Sequence, residues 1–528
     1  MKFFKYIALG SMALSLGVGA SSCVDDLDVT PDDPNKKTEL TTPDEWYGYF
    51  SSLYGNLRYE GGLTPAGVDG GAGTWMRCHW NLQTVTADEA IIISKWNDPG
   101  YNDLKFNTWL TDNTWMFMAY QREATSAKLC SEFLSKVDGA KACGVSDELI
   151  AQMKSEARVL RAYCYYNMID LFGKGPWITT QAVGENAPVL ERPELFAAVT
   201  AELEDVINNG NLVPSANQEY LRLSKEAARM LLAKLYLNAE VYAGTPMYDK
   251  CAEQCKEIVK TVNTLAPEYK YLFCASNDKY VNKGGEILWA IPQDANRMTT
   301  WGGTTYLTAG AYFSSAGDDV LNRLGALGQT PWEGVKVRPE LPQVFDKDGS
   351  SRTGDSRYLF YEGTYNEGVE DLDNYDETSD GYMCVKYTYT REEDYENTAN
   401  VALTNQVCDA DYPLFRLADT YLMLAECQFR GVSDADPGYT YFNKVRTRAG
   451  LFELTPTTAD QILNERQREL YWEGHRRSDL IRFGKYTGNV YNWSWKGGIY
   501  EGKSIEAFRK VFAIPYQYVS TVGQNEGY

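Results

Sequence analysis

Apolar side chains recur at helical spacing in several separated stretches of the chain. Within residues 156–173, Leu160, Tyr163, Cys164, Met168 and Leu171 fall on one stripe, with Gly173 placed to cap the helix and Pro176 to prevent its return. Ser224 opens a second stretch, whose Ala228, Leu231, Leu232, Leu235 and Ala239 face inward and which ends near Gly244 and Pro246. A helix from Tyr248 follows and presents Ala252, Cys255 and Val259. Leu417, Tyr421, Leu424 and Cys427 define another helix, residues 441–449 its partner, and residues 462–474 one more. These are helix–turn–helix units of about tetratricopeptide length, although the literal signature of that repeat is degenerate. A helix pair buries its apolar face only against its neighbours, so the pairs are expected to stack. The pattern predicts a mainly α protein built on a tetratricopeptide-like scaffold of helix pairs.

Between about residues 265 and 413 the helical period disappears, and Gly, Asp, Tyr and Asn become frequent. Residues 383–389 read as a short strand at best. This stretch and residues 61–115 are expected to be loop-rich structure laid on the scaffold, with few short strands. Loops held on a rigid frame are where binding is usually placed.

The amino terminus has a different character. Lys2 and Lys5 precede an apolar run over residues 7–20, then Ser21, Ser22 and Cys23, which gives the three regions of a secretory signal. The run falls short of the ~18 apolar residues a spanning helix needs. Cys23 directly after small residues has the form of a lipobox, in which residues 1–22 are removed and the thiol is acylated. Several acyl chains on one residue anchor stably. Asp25, Asp26 and Asp28, then Pro31 and Pro34, make residues 23–40 a polar leader that acts as a tether. Residues 41–528 then form a single unit.

Composition narrows the chemistry. At 528 residues, 44% apolar and 23% charged, the chain has ample core. A formal charge of −21 repels phosphate backbones and excludes nucleic acid as the expected partner. Two histidines, His79 and His475, and no G-x-S-x-G elbow argue against a serine hydrolase. Cys78 beside His79 lacks further ligands for zinc. Cys251 and Cys255, one helical turn apart, read as packed thiols. Residues 497–504 match the phosphate-loop pattern, but no buried aliphatic strand precedes them. The 72 acidic residues guarantee close carboxylate pairs by chance, so no glycosidase pair is identified by spacing. Residues 465–484 alternate charges at helical spacing and predict an ion-pair lattice that fixes two helices and includes His475.

That charged run, with Asp170-Leu171-Phe172-Gly173, Asp411-Tyr412-Pro413-Leu414-Phe415-Arg416-Leu417-Ala418 and the closing Gln524-Asn525-Glu526-Gly527-Tyr528, resembles the SusD/RagB family of Bacteroidetes outer-membrane glycan-binding lipoproteins. The acids after Cys23 also resemble the surface-export signal of Bacteroidetes lipoproteins. The resemblance implies a non-catalytic protein, lipid-anchored at the outer membrane, that captures oligosaccharide and passes it to a SusC-type TonB-dependent transporter.

Similarity to the family's starch-binding archetype places Trp301, in Trp301-Gly302-Gly303-Thr304-Thr305-Tyr306-Leu307, at a sugar-stacking position. It gives the same role to Trp96, which follows Asp88-Glu89 at a spacing two residues longer, and to Trp332 by its distance to Phe345. Arg77 and Asn97 are implied polar contacts. Asp278, Gln293, Asp434 and Asp436 resemble a calcium-supporting cluster, and oxygen ligands suit that ion, although such acids are ordinarily just solvated. Apart from this structural calcium no cofactor is expected. Starch or another α-glucan is the favoured ligand; a different polysaccharide or peptides, and a glycosidase, are the alternatives.

Overall fold

The computed structural model describes residues 39–60, 64–65, 68–179, 187–297, 299–373, 380–395 and 406–528. The expected signal peptide, Cys23 and the leader up to residue 38 lie outside these. No described helix is long and apolar enough to cross a membrane.

The expected stack of helices is present. Thr114–Lys136 packs on Asp147–Asn167, which packs on Arg192–Asn209, then Lys225–Leu237, then Tyr248–Val259. The chain then leaves the stack and returns with Leu417–Phe429, which lies against Tyr248–Val259 and carries Thr440–Arg448 and Ala459–Leu470 on its other flanks. Local signals set the ends. Ser146 accepts from the Leu149 amide at 3.2 Å, and Asp147 and Glu148 sit in the positive first turn of their helix. That helix runs to Asn167 and closes through one wider π turn, Met168–Phe172, before Gly173 at φ +77° ends it. Residues expected as one helix after Ser224 form two, Lys225–Leu237 and Ala239–Ala243, because Asn238 turns its amide nitrogen back onto the Lys234 carbonyl at 2.9 Å.

The stretch of residues 265–413 is less irregular than its sequence suggests. Ile287–Ile291 and Tyr412–Arg416 pair antiparallel at the point where the chain leaves and re-enters the stack, with Ile291 opposite Tyr412 and Ile287 opposite Arg416. Pro413 is tolerated because the ladder has only two strands. A second ribbon pairs Ala90–Ile92 with Val335–Val337 and so joins the two loop-rich regions. Residues 61–115 contain the helices Trp75–Trp80 and Tyr101–Phe106, which departs from the loop reading: the bulk of Trp75, Met76 and Trp80 is buried in the common core. The expected strand in residues 383–389 shortens to Met383–Cys384, paired with Phe360–Tyr361. Cys251, Cys255 and Cys427 are buried thiols where Tyr248–Val259 meets Leu417–Phe429.

The charged run does more than fix two helices. Glu465 and Glu469 on the helix Ala459–Leu470, and Glu473 just past its end, are spaced four residues apart and present carboxylates to cations from other segments. Arg416 donates to Glu473 at 2.7 Å and to Glu469 and Glu286 at 2.9 Å each. Arg357 reaches Glu465 and Asp355 at 2.7 Å, Arg446 reaches Glu465 at 2.8 Å, and Lys386 reaches Glu473 at 2.7 Å. On the other side Arg466 joins Asp419 and Asp479, and Asp419 also takes Lys234, whose ammonium lies 3.1 Å from Nδ1 of His475. The helix predicted over residues 462–474 ends at Leu470: Trp472 adopts φ +62° and its amide donates to Glu89 at 3.0 Å.

Burial alone would raise the Glu469 carboxyl, but Arg448, Arg416 and Arg357 outweigh it and lower it from 4.5 to about 2. A carboxyl depressed in the folded state stabilises above its unfolded pKa, and this contribution is lost as pH falls through the folded value. Arg416→Met, which takes one shared cation from three buried carboxylates at once, should cost about 3–5 kcal/mol at pH 7. Melting curves should show the gap to the wild type narrowing as pH falls from 4.5 towards 2; a gap independent of pH would contradict the assigned pairing.

Candidate functional site

Five segments, the last contributing only Gln406, converge on an open cleft of about 580 Å³ lined by Asp69, Arg77, Lys95, Trp96, Asn97, Asp98, Trp301, Trp332 and Gln406. The short helix Trp75–Trp80 supplies Arg77; the chain just past the Ala90–Ile92 strand supplies Lys95 to Asp98; the turn at residues 300–302 supplies Trp301; and the approach to Val335–Val337 supplies Trp332. The two-stranded ribbon sets the distance between two of them. Ile93 donates to the Gly334 carbonyl at 3.1 Å, Trp96 donates back to Ile93 at 3.2 Å, and Trp332 donates to Ala309 at 2.6 Å. Asp88 and Glu89, just before the ribbon, are tied to the lattice through Arg476 at 2.7 Å and the Trp472 amide.

The three indoles form a stepped wall. The Trp96 and Trp332 rings lie 6.4 Å apart and are inclined by 53°, and the Trp332 and Trp301 rings lie 6.0 Å apart and are inclined by 51°. Trp301 is 38% exposed, and the other two are half-buried. Trp96 rests on Tyr306 at 6.0 Å and directly over the Gly334 backbone, where any Cβ would overlap its ring. Gly302 has the same reason to be glycine, since a Cβ there would run into the Gly71 carbonyl.

Arg77 sits under this wall as its buried floor. Its guanidinium pairs with Asp69, donates to the Tyr101 hydroxyl at 3.1 Å and lies 4.5 Å from the Tyr306 ring centre. Burial would weaken its charge, but Tyr101, Tyr306 and Asp69 hold it firmly protonated. Nη1 and Nη2 are thereby engaged within the protein, and Nε is buried without a hydrogen-bond partner. Asn97, in contrast, is exposed at the rim.

All five residues assigned to a sugar site by resemblance therefore line one cleft. Sequence reasoning missed Asp69, Tyr306 and Gly334, and the Glu60 carboxylate behind the Trp301 turn. Only Gly302 and Tyr306 carried a signal, as part of the segment that contains Trp301.

The four residues of the calcium resemblance do not form one cluster. Asp434 pairs with Lys256 at 2.8 Å. Asp436 accepts from the amides of Tyr441 at 2.8 Å and Phe442 at 3.0 Å and so caps the Thr440–Arg448 helix. Gln293 is buried, with its backbone nitrogen on Asp411 at 2.8 Å and its amide nitrogen and oxygen unpartnered. Asp278 lies in a short 3-10 turn, Asn277–Tyr280, and its charge helps to raise Asp411, which burial chiefly pushes up to about 7. Among the described residues no group of three or more His, Cys, Asp or Glu is arranged to hold a metal ion. The expected set is dispersed because two of its carboxylates are committed to an ion pair and a helix cap.

Comparison with known proteins agrees with this architecture. Residues 354–516 match the SusD family model. The whole chain aligns at 28% identity with 99% of the Starch-binding protein SusD of Bacteroides thetaiotaomicron, and 66% of it aligns at 26% identity with 67% of the SusD-like protein P25 of Formosa agariphila. Among solved structures, surface glycan-binding protein A from Bacteroides uniformis superposes with a TM-score of 0.67 at 21% identity, covering 92% of this chain and 99% of that one. The protein of the same name from Bacteroides thetaiotaomicron in complex with laminarihexaose gives 0.67 at 19% identity, covering 92% and 100%.

The contact between Trp96 and Gly334 is open to test. Gly334→Ala should push the indole off its seat at a cost of about 1–3 kcal/mol, the usual range for overpacking. A lowered melting temperature with an altered near-ultraviolet circular dichroism spectrum is the expected result; a variant identical to wild type in both would mean that the ring is not seated there.

Proposed function

We propose that this chain, which belongs to the SusD/RagB family, is a non-catalytic surface lipoprotein that captures oligosaccharide in the tryptophan cleft and passes it to a SusC-type TonB-dependent transporter. The observation that carries the reading is the stepped wall of three indoles. A pyranose presents apolar C–H faces and a rim of hydroxyls, so aromatic platforms with a few polar groups at the edges suit it. Platforms inclined by 53° and then 51° favour a chain whose successive rings turn, as those of an α-linked glucan do; a flat chain would leave the wall after one ring. The name of the starch-binding relative agrees with an α-glucan such as starch. Asn97, Asp98 and Lys95 at the edge are placed to meet hydroxyls.

A binding role without cleavage also suits the ionisable groups. Asp69 is occupied by Arg77, and burial drives His79 down to about 4, away from the cleft beneath Trp75. A glycosidase would release reducing sugar from starch under conditions where this protein only binds it.

Trp301→Ala should weaken binding of maltoheptaose by about 1–3 kcal/mol, as for other anchoring aromatics. Its melting temperature should stay near wild type, because the ring is partly exposed, whereas truncating a core tryptophan such as Trp289 costs about 3–5 kcal/mol. Titration and melting of one preparation separate the outcomes: unchanged affinity, or a large loss of stability, removes Trp301 from the site. A panel of laminarin, other glycans and peptides tests the choice of cargo in the same format.

Cys23→Ala should release the protein from the membrane fraction while leaving glycan affinity intact. Fractionation and titration check both halves, and loss of affinity in a soluble folded variant would contradict the tether.

A further inference from the structure

We infer that Glu60 is the positioning residue for the Trp301 platform, holding the turn that aims the indole into the cleft; this rests on the glycan-binding reading of that cleft. Glu60 follows the first described helix, Pro43–Gly55, and is 241 positions away from Trp301 in sequence. Its Oε1 atom accepts from three donors of the turn: the Thr300 hydroxyl at 2.7 Å, the Trp301 amide, and the Gly302 amide at 3.1 Å, which it shares with the Thr300 hydroxyl oxygen at 3.2 Å. Two successive backbone N–H groups converging on one oxygen make a small anion nest, and an ionised carboxylate is the stronger partner for it.

The remaining contacts of the turn come from the opposite side. The Thr74 hydroxyl donates to the Gly302 carbonyl at 2.8 Å, and Gly71 packs so closely on Trp301 and Gly302 that neither glycine admits a Cβ without displacement. The turn is thus gripped by Glu60 on one side and by residues 71–74 on the other. Trp301 itself has few supports: the residue is 38% exposed and its ring meets Trp332 at 6.0 Å. The backbone sets where the Trp301 Cα–Cβ bond points and which rotamers are open to the indole, and Glu60 holds that backbone. Pre-orientation removes the ordering cost that a ligand would otherwise meet on binding.

The test is a double-mutant cycle with maltoheptaose as the probe, measured by calorimetry with melting curves alongside. Glu60→Ala should weaken binding about threefold to tenfold, the order expected for releasing one immobilised side chain. Glu60→Gln keeps an acceptor oxygen and should recover part of the loss. In a Trp301→Ala background Glu60→Ala should change affinity no further, because the platform it holds is gone. An equal loss in both backgrounds, or none in the single variant while Trp301→Ala still weakens binding, overturns the positioning role and leaves the cleft assignment standing. No loss from any of these changes overturns both. A readout without ligand guards against a poorly folded variant. In protein labelled with 5-fluorotryptophan, the Trp301 resonance, identified by its absence from Trp301→Phe, should shift or broaden in Glu60→Gln as well as in Glu60→Ala. An unchanged resonance in both overturns the proposal.

Discussion

The structure depends on a buried lattice of opposite charges. Glu465, Glu469 and Glu473 have essentially no exposure to water, and neither do Arg357, Arg416 and Lys386, which answer them. Taking such groups out of water is expensive, and the cost is met only if each charge finds several well-placed partners at once. The lattice is therefore shared: Arg416 bridges Glu286, Glu469 and Glu473, and removing any one member weakens the compensation of several buried charges at once. What it adds over a plain hydrophobic interface is register. An aliphatic surface tolerates sliding, whereas a forked guanidinium between two carboxylates has one arrangement.

That register is transmitted to the cleft. Arg357 and Lys386 belong to the segment between the two halves of the helix stack, and they reach Glu465 on the helix Ala459–Leu470 and Glu473 just past its end. Asp88 and Glu89, which precede the ribbon carrying Trp96, are held by Arg476 and the Trp472 amide at the edge of the same lattice. Segments without long elements of their own thus take their position from charges buried at their base. The cleft then needs only local devices: two glycines where rings or backbones approach closely, and an aromatic and cationic floor formed by Tyr306 and Arg77.

How much of this was legible follows from the range of the forces involved. The helices around residues 156–173, 224–259 and 417–470 are visible because their apolar period is local, and their ends because Gly173, Ser224 and Gly244 act within one turn, whereas Thr114–Lys136 and Arg192–Asn209 were not read from the sequence. The alternating charges of residues 465–484 announced a lattice, but their partners Arg357 and Lys386 lie far away in sequence and carry no pattern of their own. The Ile287–Ile291 and Tyr412–Arg416 strands escaped notice because each is short and buried on both faces, so neither alternates. Trp96, Trp301 and Trp332 were legible only through family resemblance, since nothing in a lone tryptophan separates a platform from a core residue. The dispersal of Asp434 and Asp436 could not be read either, because an ion pair to Lys256 and a helix cap leave the same acidic loop signature as a ligand set.

The two-stranded ribbon at the base of the insertion has a kinetic consequence. The helix Tyr248–Val259 cannot meet its neighbour Leu417–Phe429 until the intervening chain has been made, so this central contact of the stack is a non-local one. Contacts of such separation slow folding and prolong the exposure of apolar faces. Pairing Ile287–Ile291 with Tyr412–Arg416 shortens the problem: once those strands zip, the chain on either side is already delivered to the two positions where the helices must dock. The ribbon would act as a clasp during assembly as well as a joint in the finished protein.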